Sequence, residues 1–169
     1  MKSYLQGILG AFVLAPAALA SCLLLGFTPI HSDAKPSTFE SAVMRRSVRA
    51  SVRRHATEFS PMPVADERAV IAGGKLYVQG CAGCHGELGK PFQEDRVNFP
   101  PAPQLTTVGT QYSQAEAAWI IKHGIRMTAM SAYGHFYTPD QLAEISAFVK
   151  ECNHLPRSTV DLILAKDSR

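Results

Sequence analysis

Five consecutive residues constrain this chain more than any other part of its sequence: Cys81-Ala82-Gly83-Cys84-His85. The two thiols stand three residues apart, and a histidine directly follows the second. One helical turn presents both sulfurs to the two vinyl groups along one edge of a porphyrin, and the imidazole then takes an axial position on the iron. The motif therefore predicts a single haem c, bound covalently through Cys81 and Cys84 and ligated by His85.

Two other chemistries use a Cys-x-x-Cys pair, namely dithiol redox sites and zinc sites. A zinc ribbon needs a second Cys or His pair at a fixed spacing, whereas the remaining cysteines, Cys22 and Cys152, are isolated. A thioredoxin-like site follows a strand and precedes a helix, but here a helical pattern precedes the motif and a proline-rich loop follows it. The sequence favours haem over both alternatives.

The chain of 169 residues divides into four segments. We assign 1–34 to a membrane anchor or signal segment, 35–65 to a basic amphipathic linker, 66–153 to a haem domain and 154–169 to a C-terminal tail. The interval 66–153 is short for a self-sufficient hydrophobic core. A covalently bound haem would add a large apolar surface to this core, so that fewer apolar side chains would be needed to complete it.

Charge is distributed unevenly along the chain. Its net value of +3 arises in and just before the linker, because residues 31–65 hold six basic and three acidic side chains. The segment from Asp66 onward has ten basic and eleven acidic side chains. Nucleic-acid binding needs a basic patch with interleaved aromatic residues, and the linker has no such pattern. We therefore expect no nucleic-acid partner.

The linker carries a helical repeat of apolar and basic residues. The apolar positions recur at i, i+4 and i+8 and the arginines form a neighbouring stripe: Met44, Val48 and Val52, beside Arg45, Arg49 and Arg53. This pattern predicts a short basic amphipathic helix. Two roles stay open, a docking face for anionic lipid headgroups or an acidic partner, and a solvated spacer.

The N-terminal segment from Gly7 to Ile30 contains no charged residue and is long enough to cross a bilayer as a helix. Three outcomes are open: an uncleaved signal anchor, a lipoprotein modified at Cys22 in Leu-Ala-Ser-Cys, or cleavage after Ala34. The first two tether the protein to a membrane. Because thioether formation in bacteria occurs outside the cytoplasm, we expect the bacterial cytoplasmic membrane, with the haem domain facing the periplasm. The linker arginines run against the positive-inside tendency.

Helix signals dominate the rest of the chain. A helical pattern covers Asp66–Val78, and its Gly73-Gly74 pair implies close approach of another group, because glycine destabilises a helix interior. Capping boxes open two further helices, at Ser113 and at Thr138. No segment has a convincing strand pattern. We expect an all-α fold with about three core helices, preceded by an N-terminal hydrophobic helix and the linker helix.

Between about Asp66 and Asn153 the chain resembles the class I cytochromes c, the His/Met mono-haem electron carriers. The matching residues are Gly73 to Tyr77, Cys81 to Gly86, Pro103-Gln104-Leu105, Trp119 to Gly124, Met130 and Ala147-Phe148-Val149. The resemblance implies that Gly73 lies at a helix crossing against Phe148 and that the Pro103 carbonyl accepts a hydrogen bond from His85. It also implies that Leu105 and Trp119 contact the haem and that Met130 is the sixth ligand.

The sixth-ligand loop departs from the family pattern. The family usually has a Thr-Gly-Met-Pro-like sequence, whereas this chain has Thr-Ala-Met-Ser at 128–131. Met127, His123 and His135 are rival ligands. Position in the pattern favours Met130.

A six-coordinate iron leaves no site for a substrate. We therefore expect an electron-transfer protein, not an enzyme, that carries single electrons between redox partner proteins, alone or as a subunit of a larger respiratory complex. If Met130 does not bind iron, an open-site haem sensor or peroxidase-like enzyme is the alternative. A role in assembling a larger complex through the arginine helix is a third reading.

Overall fold

The structure is a computed structural model that describes residues 2–27, 34–60, 62–92 and 99–165. Throughout these ranges the regular elements are helices, and no strand occurs, in agreement with the predicted all-α class. The helices are α1 (Lys2–Leu24), α2 (Thr38–His55), α3 (Glu67–Gly80), α4 (Ala82–His85), α5 (Leu105–Val108), α6 (Gln114–His123), α7 (Pro139–Glu151) and α8 (Arg157–Leu164), with a 3-10 turn at Ala56–Phe59.

Two compact units make up the chain, Met1–Ala34 and Lys35–Arg169. The first contains α1, which includes Pro16. None of the helices in the described ranges is long and apolar enough to cross a membrane. Part of the predicted uncharged segment Gly7–Ile30, residues 28–30, lies outside the described residues.

The core of the second unit is the crossing of α3 and α7. A Cβ atom added to Gly73 would overlap the backbone carbonyl of Glu144, so the two helix backbones touch there. A Cβ on Gly74 would instead meet the side chains of Ile163, at 2.6 Å, and Phe148, at 3.0 Å. The crossing predicted at Gly73 is present, but Phe148 packs against its neighbour Gly74.

Large side chains fill the space beside this crossing. Tyr77 and Phe148 are fully buried, with ring centroids 4.8 Å apart. Ile145 is also fully buried, and Ile163 of α8 is 4% exposed. The C-terminal tail, whose packing partner the sequence did not reveal, thus contributes α8 to the face of α3.

Both predicted capping boxes are confirmed. At the start of α6, the Ser113 hydroxyl accepts from the Glu116 backbone N–H and the Glu116 carboxylate accepts from the Ser113 backbone N–H. Thr138 and Gln141 make the same reciprocal pair at the start of α7. These bonds satisfy backbone donors that a helix N-terminus leaves free.

The linker helix α2 packs against the domain. Val52 is 1% exposed, Val48 is half-buried and Met44 is 45% exposed, so only the C-terminal part of the apolar stripe is covered. Two arginines reach the domain: Arg49 donates to the Gln111 side chain over 2.6 Å, and Arg53 lies 3.9 Å from the Glu116 carboxylate. The 3-10 turn after α2 also contacts α6, through an ion pair of Glu58 with Lys122. The linker is therefore part of the compact unit.

The helix crossing can be tested with two neighbouring glycines. Gly73→Ala should lower the free energy of unfolding by about 2–3 kcal/mol, because the new methyl overlaps a backbone carbonyl that can move only with α7. Gly74→Ala should lower the free energy of unfolding by less than about 1 kcal/mol, because the side chains that the methyl meets can shift and alanine favours the helix. Chemical denaturation of both variants measures the difference, and equal losses would contradict the backbone contact at Gly73.

Candidate haem site

Both thiols of the motif lie on one turn of backbone. Cys81 joins α3 to α4 with φ −124°, and its carbonyl accepts from the backbone N–H groups of Cys84, over 3.2 Å, and His85, over 2.9 Å. Cys81 is half-buried against the core and Cys84 is exposed. Neither forms a disulfide. The structure thus holds two free sulfurs on the single turn that the motif predicts.

The electrostatics of this turn are unlike those of an activated dithiol. Burial, and to a lesser degree the neighbouring Cys84, raises the pKa of the Cys81 thiol to about 11. Redox-active cysteines need a lowered pKa, because the thiolate is the attacking species. Cys81 is therefore a poor nucleophile at neutral pH, which argues against a thioredoxin-like role.

His85 is held by the loop that follows the motif. Its Nδ1 lies 3.0 Å from the carbonyl oxygen of Pro103. A carbonyl only accepts, so this contact requires that Nδ1 carry the proton. The lone pair then lies on Nε2, the ring nitrogen left available to a metal. A ligating histidine usually has its other nitrogen bound in this way, which fixes the ring and raises its donor strength.

Tyr77 supports the turn Cys81–His85 in a way that the sequence does not indicate. Its hydroxyl donates to the carbonyl of Gly86 over 2.8 Å, which ties the residue after His85 to α3. Burial, followed by the nearby Cys152 and Cys81, raises the pKa of Tyr77 far above its usual value, so it stays a donor. In the sequence Tyr77 is only one apolar position of a helix, and nothing there signals the hydrogen bond.

A tight loop after α6 carries Met130. Gly124, with φ +67°, ends the helix, and a Cβ there would lie 2.6 Å from the Met130 carbonyl. The same carbonyl accepts from the backbone N–H of Ile125 over 3.0 Å. Thr128 accepts from the Met130 N–H over 3.1 Å and donates to Ile125 over 2.7 Å. The loop closes on itself and leaves the Met130 side chain packed against the core.

The rival ligands lie in other surroundings. Met127 is 84% exposed and has a left-handed backbone with φ +60°. His123 contacts Glu58, with its Nε2 3.3 Å from the carboxylate, and its ring lies 4.9 Å from that of Trp119. His135 is exposed. Partial burial on the core thus distinguishes Met130, whose ligand role stays a prediction.

The two remaining predicted contact residues, Leu105 and Trp119, lie on different helices. Leu105 begins α5 and packs against the core. Trp119 on α6 lies between two imidazoles, with ring centroids 5.7 Å from His55 and 4.9 Å from His123. The contact of Trp119 with α2 was missed, because the sequence did not indicate that the linker packs on α6. Its predicted haem contact stays a prediction.

Cys152 connects α7 to the element that carries Leu105. Its thiol is 4% exposed and lies 3.2 Å from the Leu105 carbonyl and 3.3 Å from the Val149 carbonyl. Burial raises the pKa of this thiol to about 11 from its ordinary value of 9.0. Cys152 is therefore an uncharged donor at neutral pH, which explains its burial at the end of the apolar stripe of α7.

The donor set fits haem c. Two unpaired thiols share one turn, and the adjoining imidazole has Nδ1 engaged and Nε2 available. Throughout the ranges that the structure describes, no three His, Cys, Asp or Glu side chains are grouped so as to hold a metal ion by themselves.

A family model, described as "Cytochrome C oxidase, cbb3-type, subunit III", matches residues 68–149. Residues 68–149 are a class I c-type cytochrome domain. The match covers the motif, the Pro103 loop, Met130 and most of α7. No curated protein and no solved structure shows significant similarity to the chain. Domains of this family bind haem c, and the cytochrome domain implies electron transfer.

Titration of Cys152 should lower the free energy of unfolding of this protein in alkali. A pKa raised in the folded state leaves stability intact below the unfolded pKa and removes it as pH rises toward the folded pKa. The free energy of unfolding should therefore fall by about 2 kcal/mol between pH 9 and 11 from this thiol. Denaturation at several pH values should show a shallower fall in Cys152→Ala. The exposed Cys22 supplies the control, since Cys22→Ala should keep the wild-type slope. A wild-type slope in Cys152→Ala would contradict the raised pKa.

Proposed function

We propose that this protein is a membrane-tethered, mono-haem c-type cytochrome that passes single electrons between redox partners on the periplasmic side. The observation that carries the proposal is the 3.0 Å hydrogen bond from His85 to Pro103, beside two free thiols on one turn. An imidazole whose Nδ1–H is engaged is oriented to bind iron through Nε2. The match to the cytochrome family supports the same chemistry.

Each residue of the site has a defined part in this proposal. Bound haem supplies a reversible one-electron couple between ferric and ferrous iron. Cys81 and Cys84 would hold the group covalently, and His85 and Met130 would ligate its iron. The Met130 thioether is a soft ligand that would favour the ferrous state and raise the reduction potential. With both residues bound to the iron, the site would leave no position for a substrate.

The partners of the cytochrome are proposed from its family and its exposed residues. The matching family is named for a subunit of an oxidase, which supports association with a larger respiratory complex. The exposure of Cys84 supports electron exchange at the edge of the group that the thioethers hold. Electrons would then enter and leave without contact between a partner and the iron.

Two methionine variants test the electron-carrier proposal. The purified wild type should give low-spin spectra when oxidised and when reduced, and Met130→Ala should become high-spin and bind carbon monoxide when reduced. Met127→Ala, the matched control on an 84% exposed residue, should keep the wild-type spectra. A high-spin wild type that readily binds carbon monoxide would contradict the proposal and favour the open-site sensor or peroxidase-like alternative. Unchanged spectra in Met130→Ala would exclude Met130 as the ligand.

The membrane tether is supported by the uncharged run Gly7–Ile30 and by Cys22 in a lipobox-like context. In bacterial fractions the wild type should sediment with the cytoplasmic membrane, and its haem domain should be open to protease added to spheroplasts. Cys22→Ala distinguishes the two tethers. If Cys22 is lipidated, the wild type should incorporate labelled palmitate and the variant should not; if the segment is an uncleaved anchor, neither protein should take up the label. A wild type recovered wholly in the periplasmic fraction would contradict the tether.

A further inference from the structure

A buried glutamine lies beside the histidine ligand and has no assigned role. Gln104 is 7% exposed and immediately follows Pro103, whose carbonyl accepts from His85. Its side-chain amide donates to the carbonyl of Cys84 over 2.9 Å, and a longer contact of 3.5 Å reaches the Ala102 carbonyl. Burying an amide costs free energy unless it is hydrogen-bonded. The Cys84 carbonyl is the partner that makes this burial tolerable.

The Gln104 bond and the His85 bond join the same two segments in opposite directions. The loop donates to the haem-binding turn from Gln104 to Cys84, and the turn donates to the loop from His85 to Pro103. Adjacent residues on each side are therefore joined by two hydrogen bonds. A single bond would let the loop pivot about His85, whereas two bonds fix its distance and its orientation.

Close packing around Gly86 strengthens this attachment. A Cβ on Gly86 would lie 3.0 Å from Gln104 Oε1 and 2.7 Å from Thr106 Oγ1. The backbone carbonyl of Gln104 also accepts from the N–H groups of Thr107, over 3.1 Å, and Val108, over 2.9 Å. Gln104 is thus held at its backbone by α5 and at its side chain by the haem-binding turn.

We infer that Gln104 is a positioning residue that sets the strength of the His85–Pro103 hydrogen bond and thereby tunes the reduction potential. The inference rests on the proposed function, because it requires that His85 ligate haem iron. A strong Nδ1–H bond makes the imidazole a better donor, which stabilises the ferric state and lowers the potential. Loss of the Gln104 donor should loosen that bond and raise the potential.

The test replaces Gln104 by Met in the haem-loaded full chain, which keeps the side-chain length and removes the N–H donor. Gln104→Met should raise the midpoint potential. It should also speed hydrogen exchange of the His85 Nδ1 proton at least about tenfold, as seen by NMR of the ferrous protein, because the bond opens more often. Gln114→Leu is the matched control. That glutamine also donates to a backbone carbonyl, Ala143 over 3.4 Å, but between α6 and α7, and its loss should leave the potential and the exchange rate unchanged.

A second variant, Gln104→Glu, keeps the inference testable if Gln104→Met does not fold. Gln104→Glu retains a donor only while its carboxyl group is protonated, so its exchange rate relative to wild type should approach one at low pH and rise as the carboxyl ionises. If Gln104→Met and Gln104→Glu lower the free energy of unfolding but keep the wild-type potential and Nδ1 exchange, Gln104 is structural only and the inference is wrong. A different result would contradict the proposed function, namely a wild-type protein that is high-spin or that binds no haem.

Discussion

The contact on which the rest of the fold depends is the touching of two helix backbones, α3 and α7, at Gly73. It brings the two helices close enough for Tyr77 and Phe148 to pack ring against ring below the crossing. Tyr77 in turn holds the end of the turn Cys81–His85 through its hydrogen bond to Gly86. A glycine one turn of helix before Tyr77 thus sets the position of the residue that follows His85. The packing of α3 on α7 and the geometry of the motif are therefore coupled.

The parts of the fold that could be predicted are those with a local cause. The capping boxes at Ser113 and Thr138, the helix end at Gly124 and the helical turn of the motif all depend on residues within a few positions of one another. The packing of α2 depends instead on contacts such as that of His55 with Trp119 on α6, more than sixty residues away, and no local pattern encodes that pairing. The exact neighbour of Phe148 is undetermined by sequence for the same reason.

In the candidate site, too, the features with a local cause could be predicted and those that depend on distant residues could not. The motif indicated both thiols and His85, and the resemblance implied the Pro103 carbonyl, which lies within hydrogen-bonding distance. Tyr77 and Gln104 stand among the residues that match the family, but no role was indicated for either, because a tyrosine in a helix and a glutamine in a loop acquire their roles only through partners that the fold supplies. The choice between Met130 and Met127 could be informed only by burial, which depends on how the loop after Gly124 closes.

The packing of α2 has a consequence for reach. If residues 35–65 were a free linker, their whole length would count as flexible chain before α3. With α2 packed on α6, its 18 residues belong to the folded unit instead. A segment of that length spans about 60 Å when fully extended. The docking of α2 therefore shortens, by that amount, any flexible connection between the folded unit and the residues before it.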